Sequence, residues 1–275
     1  IRTCRYNRCP VGNVFRFRFI MAIITLVDAQ LAFGHFPMLD HAEFSLEAGE
    51  KVGLIGRNGT GKSSLLQVLA GKAKLDDGLV TVQQNLKIAY VEQEPVFPAE
   101  QTVYEAVASG LHDIQAWLNE YEQLTAELGH KNDSQLLERL NELQMRLDSA
   151  DAWNLNNRVE TLLERLSLEK DARIGTLSGG LYKRVALAHG LISAPDVLML
   201  DEPTNHLDFE SIIWLENILK EFRGSIVFIT HDRRFLDHIA TRIVELDRGR
   251  LLSFPGNFSA YRTAKNEQLA NEAVE

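Results

Sequence analysis

The sequence predicts an α/β fold. It consists of a mixed sheet around a central helix, an antiparallel β subdomain toward the N-terminus, and a helical subdomain over about 100–190. Three observations predict it. Lys51–Ile55 (KVGLI) is a short apolar run that enters a glycine-rich turn and then a helix. Val197–Leu200 (VLML) and Ile226–Ile229 (IVFI) are apolar throughout, as central parallel strands covered on both faces are. Between about Thr102 and Leu168 the texture changes to leucines recurring every three or four residues.

Taken in order, Ile23–Ala29 suits a strand, followed by a loop holding Phe33, Gly34 and Phe36, and then by a second strand over Ala42–Leu46. Lys62–Ala70 reads as a helix that Gly71 stops, and Leu79–Val82 and Ile88–Val91 as two further strands. Leu118, Tyr121, Leu124 and Leu128, then Leu136, Leu137, Leu140, Leu143 and Leu147, predict a helical hairpin over about 112–150. Its turn is Gly129–Ser134, with Ser134 as a helix cap. Its Glu- and Gln-rich outer face reads as a solvated face. Phe209–Phe222 supplies a crossover helix, and Ile243–Leu246 and Leu251–Phe254 form a closing pair of strands around Arg248-Gly249. From about Tyr261 the chain is polar and helix-prone.

With 45% hydrophobic and 24% charged residues, the composition is that of an ordinary globular protein. No apolar run approaches the roughly 18–20 residues that cross a bilayer, so no membrane span is predicted. The net charge is −9, although residues 1–20 carry five arginines and no acid, which leaves the rest more acidic still. Such a body is unsuited to coating a polyanion over its whole surface, and any nucleic-acid contact must be local. Both cysteines, Cys4 and Cys9, lie in this basic stretch, which excludes a disulfide framework or thiolate metal site in the core. Residues 1–20 read as a non-native or disordered leader before a start at Met21, the alternative being an Arg-rich targeting peptide.

Gly56-Arg57-Asn58-Gly59-Thr60-Gly61-Lys62-Ser63 has the strand–turn–helix setting that a phosphate-binding loop requires. Glycines let backbone N–H groups converge on phosphates, and the helix N-terminus favours the anion. In that setting Lys62 reaches the β- and γ-phosphates of ATP, and the Ser63 hydroxyl binds Mg²⁺. Asp201 and Glu202 end the VLML strand. Asp201 is placed to hold the magnesium and Glu202 to orient the water that attacks the γ-phosphate. Leu177-Ser178-Gly179-Gly180 precedes a helix rich in small residues and offers a second anion-binding terminus, although alone it reads as an ordinary capped helix. Two phosphate sites in one domain make sense in a two-fold arrangement, where each Ser-Gly-Gly closes on the partner's ATP.

In chain order these motifs, with Gln93 after a strand, Asp208 and His231, resemble the ATP-binding cassette, a P-loop NTPase of the ABC nucleotide-binding-domain type. The resemblance covers essentially all of residues 22–255. It implies an ATPase acting on the phosphoanhydride bond, with Ser64 joining Gly56–Ser63 at the nucleotide. Gln93 is then the glutamine near Mg²⁺ and the lytic water, His231 the switch histidine at the γ-phosphate, and Asp208 the aspartate of the D-loop. Leu177–Gly180 is the signature that acts in trans. Phe33 stands where the family stacks an aromatic on adenine, with Phe36 as the competing candidate.

Asp201–Asp208 (DEPTNHLD) and His231-Asp232-Arg233 resemble the ABC-F branch, soluble proteins with two cassettes and no membrane domain. Asp247-Arg248-Gly249 and Phe254-Pro255-Gly256-Asn257-Phe258 are similar to its Uup-type members. On that resemblance residues 21–260 are the ATP-binding domain, 112–150 its arm-like hairpin, and 261–275 the start of a helical interdomain linker. The implied protein is cytoplasmic, paired with a second cassette or a copy of itself. ATP-driven clamp closing then acts on a ribosome or branched DNA. The alternative is the nucleotide-binding subunit of a membrane transporter, but Leu181 stands where transporters usually carry Gln, and Asn205–Asp208 disfavours it.

Overall fold

A computed structural model describes residues 22–34, 36–128 and 134–272. The Arg-rich stretch 1–20 with Cys4 and Cys9, the start at Met21, the hairpin turn at 129–133 and the capping side chain of Ser134 lie outside the described residues.

Strands β1 (Ala22–Phe33) and β2 (Phe36–Glu47) form a long hairpin, and β3 (Lys51–Gly56) leads into α1 (Lys62–Leu69). Next come β4 (Asp77–Val82) and β5 (Ile88–Val91), then the helices α2 (Val103–Ala108), α3 (His112–Leu128), α4 (Ser134–Ser149), α5 (Leu155–Arg165) and α6 (Gly179–Leu191). The chain then alternates through β6 (Val197–Asp201), α7 (Phe209–Glu221), β7 (Ser225–Ile229) and α8 (Arg233–Ile239). It closes with β8 (Arg242–Asp247), β9 (Arg250–Pro255) and α9 (Phe258–Glu272). One sheet has the order β2-β1-β4, all antiparallel; the other has the order β5-β6-β7-β3-β8-β9, parallel except for the β8–β9 pair.

Every residue of β6 and β7 is buried, as the unbroken apolar runs predict. The period of two divides these side chains between two cores. Val197, Met199, Val227 and Ile229 pack with Leu65, Leu66, Val68 and Leu69 of α1 and with Ile24, Leu26 and Leu46 of the antiparallel sheet. Leu198, Leu200, Ile226 and Phe228 face the other way, against α6, α7 and α8. Helix α1 is therefore enclosed between the two sheets. Eight residues are too few for a stable isolated helix, so this enclosure holds it. A third core joins α2, α5 and α6.

The first hairpin is longer than the alternation predicts. Both strands run to its tip, and Phe33 and Phe36 are cross-strand partners there instead of loop residues. The register shifts between Leu26 and Ala29, and Asp28 and His41 adopt positive φ beside each other, their side chains hydrogen-bonded. A bulge of this kind breaks the in–out alternation while pairing continues beyond it. The glycine inside KVGLI also has a tertiary cause. A Cβ on Gly53 would stand 2.5 Å from Leu236 Cδ2 and 3.0 Å from Ile243 Cδ1, so only glycine lets α8 lie this close to the central strand.

Phe235 is fully buried and meets Phe228 edge-to-face at 5.5 Å between ring centroids. Phe235→Ala is expected to lower unfolding stability by about 3–5 kcal/mol, the range for a large aromatic lost from a close-packed core. Denaturant titration checks this, and a loss below 1 kcal/mol would contradict the packing.

Candidate active site

The phosphate loop is shaped by backbone that only glycine adopts freely. Gly59 and Gly61 sit at φ 78° and 97°, and α1 begins at Lys62 with no side-chain cap on its N–H groups. A Cβ on Gly61 would lie 2.8 Å from Met38 Cβ, because β2 crosses over the loop. Lys62 is buried, and its Nζ donates to the Gly56 carbonyl at 3.0 Å and the Arg57 carbonyl at 2.9 Å. Burial pulls its pKa down, opposed by the charges of Glu202 and Asp201. Thr60 Oγ1 donates to the Arg57 carbonyl at 2.9 Å, which tightens the turn. Ser63 is exposed and Ser64 half-buried at the start of α1.

Two carboxylates end β6 in a setting that suits them poorly unless a cation shares it. Asp201 is 5% and Glu202 6% exposed, and Asp201 Oδ1 and Glu202 Oε2 are buried without a hydrogen-bond partner. Tyr90, from β5, donates to Asp201 Oδ2 at 3.3 Å. Burial and the Asp201 charge push the Tyr90 hydroxyl up to about 12. Glu202 occupies a left-handed conformation at φ 46°, its N–H donating to the Ile229 carbonyl at 3.0 Å, and its Oε1 lies 3.2 Å from His231 Nε2. Burial raises the Glu202 pKa, with His231 and Lys62 pulling the other way.

Two partnerless carboxylate oxygens fit Mg²⁺, a hard cation that prefers oxygen donors. Among the described residues no three His, Cys, Asp or Glu side chains form a metal cluster. Mg²⁺ characteristically takes one or two carboxylates together with substrate phosphates and water.

The remaining predicted residues fall in different places. Gln93 is exposed just beyond β5, and its carbonyl accepts from Lys183 Nζ of α6. Ser178 caps α6, its Oγ accepting from the Leu181 N–H at 3.3 Å. Asp208 caps α7, accepting from the Ser211 N–H at 2.9 Å, and these hydrogen bonds hold its carboxyl below the usual range. Ser178, Gly179, Gly180, Asp208 and His206 line one open depression of ≈ 340 Å³. No phosphate-loop residue, nor Asp201, Glu202 or His231, lines it. Phe33 and Phe36 are 76% and 79% exposed, so both rings present a free face.

Four contacts were not legible as site features in the sequence: those of Tyr90, Tyr182, Lys183 and Arg184. Tyr182 Oη donates to the Pro95 carbonyl at 2.6 Å and accepts from the Phe97 N–H at 3.1 Å, so it and Lys183 tie α6 to the loop carrying Gln93. Arg184 stacks on Trp214 at 4.4 Å and favours the Asp208 charge. The available signal was the polar run Tyr182-Lys183-Arg184, one residue after Gly179-Gly180, on a helix whose later residues are mostly small and apolar.

Fold and site together define a P-loop ATPase domain of the ATP-binding-cassette kind. Residues 39–205 match the ABC transporter family. ATP-binding protein Uup of Haemophilus influenzae is 45% identical over 255 residues, 93% of this chain and 39% of the relative. Uup of Escherichia coli is 42% identical over the same length. The energy-dependent translational throttle protein EttA of Mycobacterium tuberculosis is 40% identical over 249 residues, 90% of this chain and 45% of the relative. A nucleotide-free ATP-binding cassette from an ABC transporter superposes with a TM-score of 0.65 at 23% identity, over 88% of this chain and 94% of that one. The chain belongs to the ABC transporter family, and it is similar to Uup and EttA at 40–45% identity. It spans about two fifths of the length of these curated relatives. Among the described residues no helix is long and apolar enough to cross a membrane.

The raised Glu202 pKa has a defined consequence for stability. The folded state holds this proton more tightly than the unfolded state, so stability falls as pH climbs from the ordinary value of 4.5 through the folded value. Glu202→Gln removes that loss. Its melting temperature relative to wild type should rise with pH above 4.5 and then level off, and parallel melting curves across pH would contradict the burial argument.

Proposed function

We propose that this cassette binds Mg·ATP through Gly56–Ser64 and hydrolyses it, with Glu202 orienting the attacking water. The supporting observation is Glu202 itself: a buried carboxylate on left-handed backbone, one oxygen beside His231 and the other without a partner. That free oxygen accepts a hydrogen bond from water. The water adds to the γ-phosphorus as the bridging β–γ bond breaks, giving ADP and phosphate. Lys62 and the N–H groups of the loop stabilise the phosphate charge, and His231 steadies Glu202 and meets the γ-phosphate. Ser63, Asp201 and Gln93 hold Mg²⁺, which when bound neutralises charge shared by the β- and γ-phosphates. Phe33 stacks on adenine; Phe36 is its alternative.

Leu177–Gly180 and Asp208 serve a nucleotide held by another cassette, either in the same protein or in a second copy. The support is the depression that Ser178, Gly179, Gly180 and Asp208 share, separate from the phosphate loop. Closing of two such cassettes around ATP drives a clamp, in a cytoplasmic protein, on a ribosomal or branched-DNA target. The EttA relative is named a translational throttle protein, which favours the ribosome. The hairpin over 112–150 is the arm, and 261–275 begins the linker. Helix α3 carries four acids and no lysine or arginine, so phosphate contact falls to other surfaces.

Phosphate release tests the chemistry. Glu202→Gln should slow it by at least about 100-fold while ATP binding is kept, the loss typical of a missing catalytic base. Equal rates would sink the assignment. The same ATP-trapped variant, titrated against ribosomes and branched DNA at physiological salt, should be retained on ribosomes; retention on DNA alone would make the target DNA.

A further inference from the structure

We propose that Tyr90 is a positioning residue for the metal-binding carboxylate of Asp201, fixing which of its oxygens faces Mg²⁺. The proposal rests on the reading of Asp201 as a magnesium ligand. Strand β5 lies parallel to β6 with Tyr90 opposite Met199 and Val91 opposite Leu200. Side chains alternate along a strand, so Met199 and Asp201 share a face. Met199 and Tyr90 both pack into the core around α1, which puts the Tyr90 ring on that same face. A tyrosine there is long enough to pass Met199 and reach the carboxylate two residues further on. Its hydroxyl does so, at 3.3 Å from Asp201 Oδ2.

The two oxygens of Asp201 are thereby made unequal. Oδ2 accepts from Tyr90, whereas Oδ1 is buried with no partner. The terminal torsion of an aspartate is soft, so an untethered carboxylate samples both one-oxygen and two-oxygen modes of binding a metal. Holding Oδ2 leaves Oδ1 as the donor and fixes the carboxylate plane. Mg²⁺ tolerates little deviation from octahedral geometry, so it gains more from such restraint than Ca²⁺ does.

Two contacts keep Tyr90 in place. The Gln67 side chain, on α1, approaches the same hydroxyl and pulls its pKa down, against the rise from burial and Asp201. Lys72 lies over its ring at 4.7 Å from the centroid and is paired with Glu92 at 3.0 Å. The path Gln67–Tyr90–Asp201 thus runs from the helix that carries Lys62 to the carboxylate that faces it across the site. Partners that orient metal ligands characteristically set metal affinity by about 10–100-fold.

The test is Tyr90→Phe, which deletes one oxygen and keeps the ring under Lys72. Binding of a fluorescent ATP analogue is measured across a Mg²⁺ titration and in EDTA, with Asp201→Asn alongside. The Mg²⁺ concentration for half of the metal-dependent gain in affinity is expected to rise about 10-fold. Affinity in EDTA should stay at the wild-type value, as should the ligand-free melting temperature. Gln67→Ala, a change at an exposed side chain, should move the Mg²⁺ requirement in the same direction by less. If Tyr90→Phe keeps the wild-type Mg²⁺ requirement while Asp201→Asn abolishes the metal effect, Asp201 is a ligand that needs no help, and the proposal falls. If Asp201→Asn also leaves the metal effect intact, the assignment of Asp201 falls first and the proposal with it.

Discussion

The enclosure of α1 between two sheets is the constraint on which the rest of the molecule depends. Leu65, Leu66, Val68 and Leu69 are buried among residues of both sheets, which hold an eight-residue helix that could not persist alone. Its N-terminus is the phosphate loop. The same packing therefore aims the uncapped N–H groups, closes β2 over Gly61 and buries the stem of Lys62.

Around that helix the protein holds charge where burial disfavours it. Asp201 and Glu202 are nearly inaccessible, two of their oxygens have no partner, and Glu202 adopts left-handed backbone. Unpaired buried carboxylates and strained backbone each act against folding, by amounts that matter when total stability is about 5–15 kcal/mol. They persist because the surrounding strands are over-determined: β6 is paired on both sides and buried along its whole length. Under the proposed function, a divalent cation and a phosphate would offset that cost.

The helical subdomain reports on the same centre through α6. Ser178 caps it, and its early turns tie Lys183 to Gln93 and Tyr182 to Pro95 and Phe97. The aromatic contact of Phe97 with Tyr182, at 5.7 Å, adds stiffness to that join. The loop beyond β5 is therefore joined directly to the helix that presents Ser-Gly-Gly, and Arg184, stacked on Trp214, favours the Asp208 charge.

The sequence by itself determined the phosphate loop, the buried strands ending in Asp201 and Glu202, the order of the motifs and hence the fold class. Each of these is written in local chemistry: glycines where φ must be positive, unbroken apolar runs where both faces are covered, and a hydroxyl or carboxylate where a helix starts. Only the tertiary structure decided how far the first hairpin extends, because the bulge at Asp28 and His41 hides the pairing from any test of alternation. It also decided why Gly53 is glycine, which depends on an α8 side chain 183 positions later in the chain. The same holds for the bond from Tyr90 to Asp201, between residues 111 apart in sequence. Periodicity reports which face a residue occupies; which distant atom lies opposite that face is set by strand order and packing, and no local pattern carries it.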